Sequence, residues 1–181
     1  NVAVRAAEGF SGADYFVPGY WLWAKLIENA AAIGLSPLEL HMACYDWRLP
    51  YSALEARDHY HSRLRTLIES AVSRSGYKAV IVAHSMGANV WLHFMQWVSK
   101  VAGPGWVATY VHAFVSLSGA LLGAVGPLGA LLSGEMQSTA ILGPLNRLLN
   151  SQVSLLKYNQ IRDFLRTLGS LGSLLPKGGT A

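Results

Sequence analysis

Residues 79–87 read Ala-Val-Ile-Val-Ala-His-Ser-Met-Gly, an uncharged and β-rich run that breaks into a small-x-Ser-x-Gly turn. A helical pattern of apolar residues follows from about Ala88. A serine held at a sharp strand-to-helix turn projects its hydroxyl out of the sheet, and small residues two positions before and after it let the neighbouring backbone pass. The pattern therefore predicts that Ser85 is a nucleophile on such an elbow.

A serine nucleophile of this kind needs a carboxylate and a histidine that follow it in the order Ser…Asp/Glu…His. The chain has six histidines, and none comes later than His112. His84 is held in the elbow and His112 falls in an apolar stretch, so neither is a natural base. The carboxylates after Ser85 are Glu135 and Asp163, and both are poor candidates for the acid. We expect the chain to be a piece of an enzyme.

Composition narrows the class of protein. The 181 residues, 52% hydrophobic and 13% charged, fit one α/β domain or part of one. The net charge of +4 is spread along the chain, and aromatic residues are not interleaved with Lys or Arg. This distribution argues against a nucleic-acid partner.

The first part of the chain predicts two helices and a strand. Apolar residues at helical spacing favour a helix over residues 20–33, and the apolar run at 38–47, bounded by prolines, favours a buried strand. Ser52 and Glu55 form a Ser-x-x-Glu pair that predicts the start of a second helix. That helix is expected to end near Gly76.

The second part continues the alternation. The elbow strand at 79–83 is followed by a helix that Gly103 ends, and residues 109–117 predict a further strand. Strands that alternate with helices indicate a parallel sheet, with the active site beyond the carboxyl ends of its strands. A last amphipathic helix is expected over 161–168.

Residues 118–145 are rich in Gly, Ala and Leu, and residues 101–134 contain no Lys, Arg, Asp or Glu. A long uncharged stretch can indicate a membrane span, but glycines and prolines interrupt this one before 18 apolar residues accumulate. Two interpretations remain for 118–145. It is a lid that contacts lipid, or a loop that packs on the core.

Several longer sequence motifs are spread over nearly the whole chain. They are Pro-Gly-Tyr-Trp-Leu-Trp at 18–23, Leu-Ile-Glu-Asn at 26–29, His-Met-Ala-Cys-Tyr-Asp-Trp-Arg-Leu at 41–49, His-Ser-Met-Gly at 84–87, Leu-His-Phe-Met at 92–95, Leu-Ser-Gly-Glu-Met at 132–136 and Leu-Leu-Pro-Lys-Gly-Gly at 174–179. Together these motifs closely resemble the lecithin:cholesterol acyltransferase family.

The resemblance implies an α/β-hydrolase fold, partial here and incomplete at both ends, with 1–181 forming part of a single domain. It implies transfer of a fatty acyl group from a phospholipid to diacylglycerol, which gives triacylglycerol and a lysophospholipid without a cofactor or metal. It also implies a membrane-surface enzyme, typically at the endoplasmic reticulum, with an anchor upstream of Asn1.

The resemblance also assigns roles to residues. Ser85 is the nucleophile, and the backbone N–H of Met86 is one donor of the oxyanion hole. Asp46 and Arg48 match a family motif near the active site and are expected to support local structure or recognise a head group. As an alternative, the two form an ordinary ion pair. The family's catalytic Asp and His lie beyond the last residue, and its second oxyanion donor precedes the first.

Three classes of function stay open at this point. The first is the acyltransferase, and the second is a lipase or phospholipase that shares the elbow. The third is a non-catalytic membrane or interaction protein, because a serine without an acid and a base is nearly inert. For the same reason we expect these 181 residues alone to have negligible acyl transfer activity.

Overall fold

Helices outnumber strands in the computed structural model, which describes residues 5–17, 20–134 and 158–178. The elements are a 3₁₀ turn at Phe10–Gly12, β1 (Tyr15–Val17), β2 (Tyr20–Trp21), α1 (Ala24–Ala32), α2 (Tyr51–Asp58), α3 (Tyr60–Ser75), β3 (Ala79–His84), α4 (Met86–Ala102), α5 (Trp106–Tyr110), β4 (Val111–Leu117), α6 (Val125–Ser133), α7 (Tyr158–Arg166) and α8 (Gly169–Ser173).

The strands pair into two small sheets in the described residues. β1 and β2 form an antiparallel hairpin, whereas β3 and β4 are parallel neighbours connected through α4 and α5. The predicted parallel pairing of the elbow strand with the next strand is confirmed. The side chains of β3 alternate, with Ile81 directed at the core and Val82 on the exposed face.

The core lies between α3, α4 and the inward face of the sheet. It is built on aromatic rings, since fully buried Phe94 stacks on Trp91 at 5.1 Å between centroids and meets Trp106 edge-on at 5.5 Å. Large aromatic side chains bury much apolar area and so dominate the stability of a core this small. The other buried members are Tyr51, Leu54, Tyr60, Leu64, Ile68, Val90 and Val98.

The predicted strand at residues 38–47 is wrong. The N–H groups of Glu39 and Leu40 both bond back to the carbonyl of Ser36 at 2.9 Å, which makes a turn, and the residues that follow have no regular structure. Strand character requires a hydrogen-bonded neighbour. No strand in the described part of the chain pairs with this segment.

The prediction that Ser52 and Glu55 cap the start of a helix is also wrong. Pro50 precedes the first turn of α2, so Ser52 lies inside the helix. Glu55 instead accepts a 3.0 Å hydrogen bond from the N–H of Ser62, in the first turn of α3.

The single helix predicted from Ser52 to about Gly76 is two helices, α2 and α3, because His59 adopts a left-handed conformation with φ 51° between them. The predicted end at Gly76 is confirmed, with φ 73°.

Other boundaries shift by a few residues. The first helix begins at Ala24 because Tyr20–Trp21 belongs to the hairpin, and the last strand begins at Val111 because Trp106–Tyr110 is helical. The C-terminal helix is confirmed and covers Tyr158–Arg166.

Within residues 118–145, the structure describes the part as far as Gly134, which contains α6. Residues 135–145, and with them Glu135, lie outside the described residues, so the lid stays a prediction. Among the described helices, none combines the length and the apolar content that a bilayer span requires.

Candidate functional site

Ser85 lies at the corner between β3 and α4, as the sequence predicts. Its backbone has φ 51° and ψ −123°, and α4 begins at the next residue, Met86, two positions earlier than expected. A serine is rarely found at positive φ, and a residue forced there costs about 1–3 kcal/mol unless its surroundings impose it. The turn therefore stores strain at the predicted nucleophile.

This strain leads to a stability prediction that separates two variants of Ser85. Ser85→Gly is expected to raise the free energy of unfolding by about 1 kcal/mol relative to Ser85→Ala, because glycine tolerates positive φ and alanine does not. Urea unfolding of both variants measures the difference. Equal stabilities would mean that the elbow is not strained in solution.

The end of β4 and the loop after it close on the elbow and fix it. The Ser85 N–H donates to the Leu117 carbonyl at 2.9 Å, and Asn89 Nδ2 donates to the Ala120 carbonyl at 2.7 Å. The loop comes so close that a Cβ on Gly119 would lie 2.7 Å from Cβ of Ala88. Sequence reasoning missed Asn89, which is buried. An amide side chain among the apolar residues of α4 is the sequence feature that could have identified Asn89.

Met86 places its N–H at the first turn of α4, where helix N–H groups have no partner within the helix. No hydrogen bond to this N–H is present among the described residues. The positive end of the helix dipole adds to the attraction for negative charge at this point. The geometry is compatible with the predicted oxyanion donor.

Candidate bases do not reach Ser85 in the described part of the chain. His84 turns its ring edge-on to Trp23, at 6.3 Å between centroids. His93 pairs instead with His61, with 3.2 Å between Nδ1 and Nε2. No hydrogen bond joins a described histidine or carboxylate to the Ser85 hydroxyl, and the position of the acid and base stays a prediction.

A cavity of about 880 Å³ has Ser85 in its wall. It lies between β3 and residues 40–48, above α3, and its lining is mainly apolar. Six residues show its extent: Leu26, Met42, Tyr45, Ile68, Val82 and Ser85.

Tyr45 is a second residue that sequence reasoning passed over. Its hydroxyl lies 3.9 Å from where a Cβ on Gly87 would stand, beside the elbow. Its ring meets Tyr60 at 5.7 Å between centroids, and the Tyr60 hydroxyl donates to the Ala43 carbonyl at 3.2 Å. Burial raises the pKa of Tyr45 well above its usual value, so its hydroxyl stays neutral near Ser85.

Asp46 and Arg48 are brought together as an ion pair, with a third member that the sequence did not reveal. Arg48 donates from Nε and Nη2 to the two carboxylate oxygens of Asp46, at 2.8 and 2.7 Å. Arg57 from α2 adds a bond of 2.6 Å. The hydrogen bonds from Arg48 above all, then those from Arg57, hold the pKa of the buried Asp46 carboxyl far below its usual range despite the opposing effect of burial.

This cluster predicts a stability loss. Asp46→Asn should lower the free energy of unfolding by about 2 kcal/mol, because hydrogen bonds to a charged group are lost and an amide N–H₂ faces a guanidinium. Urea unfolding measures the change. The control is Asp163→Asn, an exposed carboxylate beside Arg162, which should change stability by less than about 0.5 kcal/mol. Equal effects from both variants would contradict a special role for Asp46.

No group of three or more His, Cys, Asp or Glu side chains in the described ranges is arranged to hold a metal ion.

Comparisons with known proteins agree with one another. The family model described as "Lecithin:cholesterol acyltransferase" matches residues 1–180. The Phospholipid:diacylglycerol acyltransferase of Schizosaccharomyces pombe is 42% identical over 99% of this chain and 29% of its own length. That of Saccharomyces cerevisiae is 39% identical over 98% of this chain and 28% of its own length.

A mouse protein named Lysosomal phospholipase A and acyltransferase is 37% identical over 99% of this chain and 43% of its own length. The chain thus spans less than half the length of each of these relatives.

Proposed function

Because the chain belongs to the lecithin:cholesterol acyltransferase family, we propose that it carries the nucleophile of an enzyme that moves a fatty acyl group from a phospholipid to diacylglycerol. The scaffold proposed is part of a single α/β-hydrolase domain. The observation that carries the proposal is the backbone of Ser85, with φ 51° and ψ −123° at a strand-to-helix corner. Relatives named for this activity match nearly the whole chain.

The reaction proceeds through an acyl-enzyme. A base takes the proton of the Ser85 hydroxyl while its Oγ attacks the ester carbonyl of the phospholipid, and the N–H of Met86 stabilises the resulting oxyanion. Collapse of this intermediate releases the lysophospholipid. The hydroxyl of diacylglycerol then attacks the acyl-enzyme, which gives triacylglycerol and restores Ser85. The acid and base are contributed by residues outside the described part of the chain.

Asp46 and Arg48 support the site rather than react in it. The two arginine partners of Asp46 leave its carboxylate engaged on both oxygens. The Arg48 carbonyl also accepts from the N–H of Ser170, so the cluster ties the segment beside Tyr45 to α8. A head group that competed for Arg48 would have to displace a buried carboxylate, which is costly.

The proposed place of action is a membrane surface of the endoplasmic reticulum. Apolar side chains of α6 and the preceding loop are open to solvent, with Leu122 and Val125 exposed by 76% and 74%. Large apolar side chains that project together are typical of surfaces that meet lipid or another protein. We propose that residues 118–145 form a lid that contacts lipid.

Product analysis tests the function. Membranes that carry the full-length protein are supplied with diacylglycerol and a phospholipid labelled in its acyl chain. Label in triacylglycerol, in proportion to added diacylglycerol, is the expected result. Label in free fatty acid alone would instead identify a phospholipase, a possibility that the name of the mouse relative raises. Label in neither product would remove the enzyme proposal.

A further inference from the structure

Both backbone polar groups of Ser85 are held by the end of β4 and by the loop that follows it, residues 118–124. The Ser85 N–H donates to the Leu117 carbonyl at 2.9 Å, and the Ser85 carbonyl accepts from the N–H of Ala120 at 3.4 Å. A residue other than glycine keeps a positive φ only where its surroundings impose it. The position of this loop therefore sets the conformation of the elbow.

The loop is held in turn by residues 168–177, which we call the brace. Ala124 donates its N–H to the Leu174 carbonyl, and Lys177 donates its N–H to the Leu122 carbonyl, each at 2.8 Å. The two hydrogen bonds run in opposite directions and join the loop to the brace at two points. The brace therefore fixes the loop through the backbone, whatever side chains the loop carries.

Gly123 lies between these two hydrogen bonds and permits the close approach of loop and brace. Its φ is 85°, and a Cβ at this position would lie 2.3 Å from the Leu175 carbonyl oxygen. A side chain here would meet both a strained backbone and a backbone clash. The Gly123 N–H also donates to the Ala120 carbonyl at 2.9 Å. A displacement of Gly123 therefore acts directly on the residue that bonds Ser85.

The brace is itself fixed at its other end. Ser170 is buried, and its N–H donates to the Arg48 carbonyl at 3.3 Å. Gly169 packs so closely on Pro50 that a Cβ on the glycine would lie 2.5 Å from Cδ of the proline. The brace thus connects the residues before α2 to the loop that holds the elbow.

We infer that the brace positions Ser85 for acyl transfer, and that Gly123 is the positioning residue through which it acts. The inference rests on the proposed role of Ser85 as the nucleophile. Attack requires the Ser85 Oγ and the Met86 N–H at fixed places around the ester carbonyl, and a displacement of about 1 Å can lower a rate about a hundredfold. Neither the brace nor Gly123 takes part in the chemistry, since both act through the loop.

A fluorophosphonate probe tests the inference in the full-length protein, because the Oγ of an activated serine displaces fluoride from the probe without any lipid substrate. Gly123→Ala places a methyl group against Leu175 and should slow the labelling of Ser85 at least about tenfold. The matched control is Gly76→Ala, since Gly76 also has a positive φ, 73°, but open space where its Cβ would stand. It should keep the labelling rate within about twofold of the parent.

The outcomes separate this inference from the proposed function. A parent protein that is not labelled at Ser85 would remove the proposed nucleophile, and the inference with it. Equal labelling rates in the parent and in Gly123→Ala would overturn the inference alone. Equal slowing in Gly123→Ala and Gly76→Ala would also overturn it, because strain at a positive φ would then account for the effect.

Lys177→Pro gives a second test that adds no atom beside Gly123. Proline has no N–H, so the hydrogen bond to the Leu122 carbonyl is lost, and the exposed position of Lys177 leaves room for the ring. We expect labelling of Ser85 to slow at least about threefold, with a melting temperature close to that of the parent. An unchanged labelling rate in this variant would overturn the inference, even if Gly123→Ala failed to fold.

Discussion

Replacing Ser85 by alanine in the full-length protein is expected to lower the rate of triacylglycerol formation by at least about a thousandfold. The acyl-enzyme cannot form without Oγ, and the remaining oxyanion donor acts on a carbonyl that has no nucleophile. Alanine meets the same backbone strain at the elbow as the serine it replaces, so the fold is retained. Initial rates with labelled phospholipid and diacylglycerol measure the effect.

A matched serine in the same helix controls for indirect effects. Ser99 lies in α4, where its hydroxyl bonds the carbonyl of Met95 at 2.8 Å. Ser99→Ala is expected to leave the rate within about twofold of the parent, since substitutions away from a site have small effects. If Ser85→Ala retained activity, or if both variants lost it equally, Ser85 would not be the nucleophile.

The elbow was predictable because its information is local. The β-rich run, the small residues around Ser85 and the apolar stripe of α4 are contiguous, and each favours the observed conformation by itself. The parallel pairing of β3 with β4 followed because a helix between two strands favours parallel neighbours. These parts needed no knowledge of distant contacts.

The segment at 38–47 was not predictable in the same way. Its composition favours a strand, but a strand exists only with a neighbour to pair with, and composition does not reveal the neighbour. The break at His59 was missed for a different reason. Left-handed residues are usually glycine or asparagine, so a histidine at this position gave no signal.

Two contacts around the site depend on tertiary structure: the bond from Arg57 to Asp46, and the bond that holds the loop after β4 against the elbow. Arg57 reaches Asp46 from a different helix, and Asn89 meets a loop that follows β4. Helical spacing identifies which face of α4 is apolar, but not which backbone carbonyl the Asn89 side chain will meet. Sequence therefore located the elbow and its serine, and left the residues that position them undetected.

Stability at mildly acidic pH is the second large effect that we expect. His61 is completely buried, its Nε2 lies 3.2 Å from Nδ1 of His93, and its ring stacks on Phe94. Burial, and then the neighbouring His93, lower the pKa of His61 to about 4, while Glu55 acts in the opposite direction. Folded His61 is therefore neutral throughout the mildly acidic range.

The sign of the pH dependence follows from this difference. In the unfolded chain a histidine takes up its proton near pH 6.5, whereas folded His61 does so only near pH 4. The stabilisation is complete above about pH 6.5 and is lost as the pH falls toward about 4, by about 3 kcal/mol in total. The pKa of His93 is also lowered, by burial first and then by Lys100 and Lys177, so it contributes with the same sign.

Urea unfolding between about pH 7.5 and 5 measures this loss, in a range where most carboxylates stay ionised. His61→Gln keeps a side chain able to bond His93 but removes the titration, so its unfolding free energy should depend less steeply on pH. The control, His112→Gln, changes an exposed histidine of β4 and should keep the slope of the parent. An unchanged slope in His61→Gln would mean that the buried pair does not set the acid sensitivity. A slope reduced in His61→Gln but not in His112→Gln would assign the acid sensitivity of the unfolding free energy to the packing of His61 between α3 and α4.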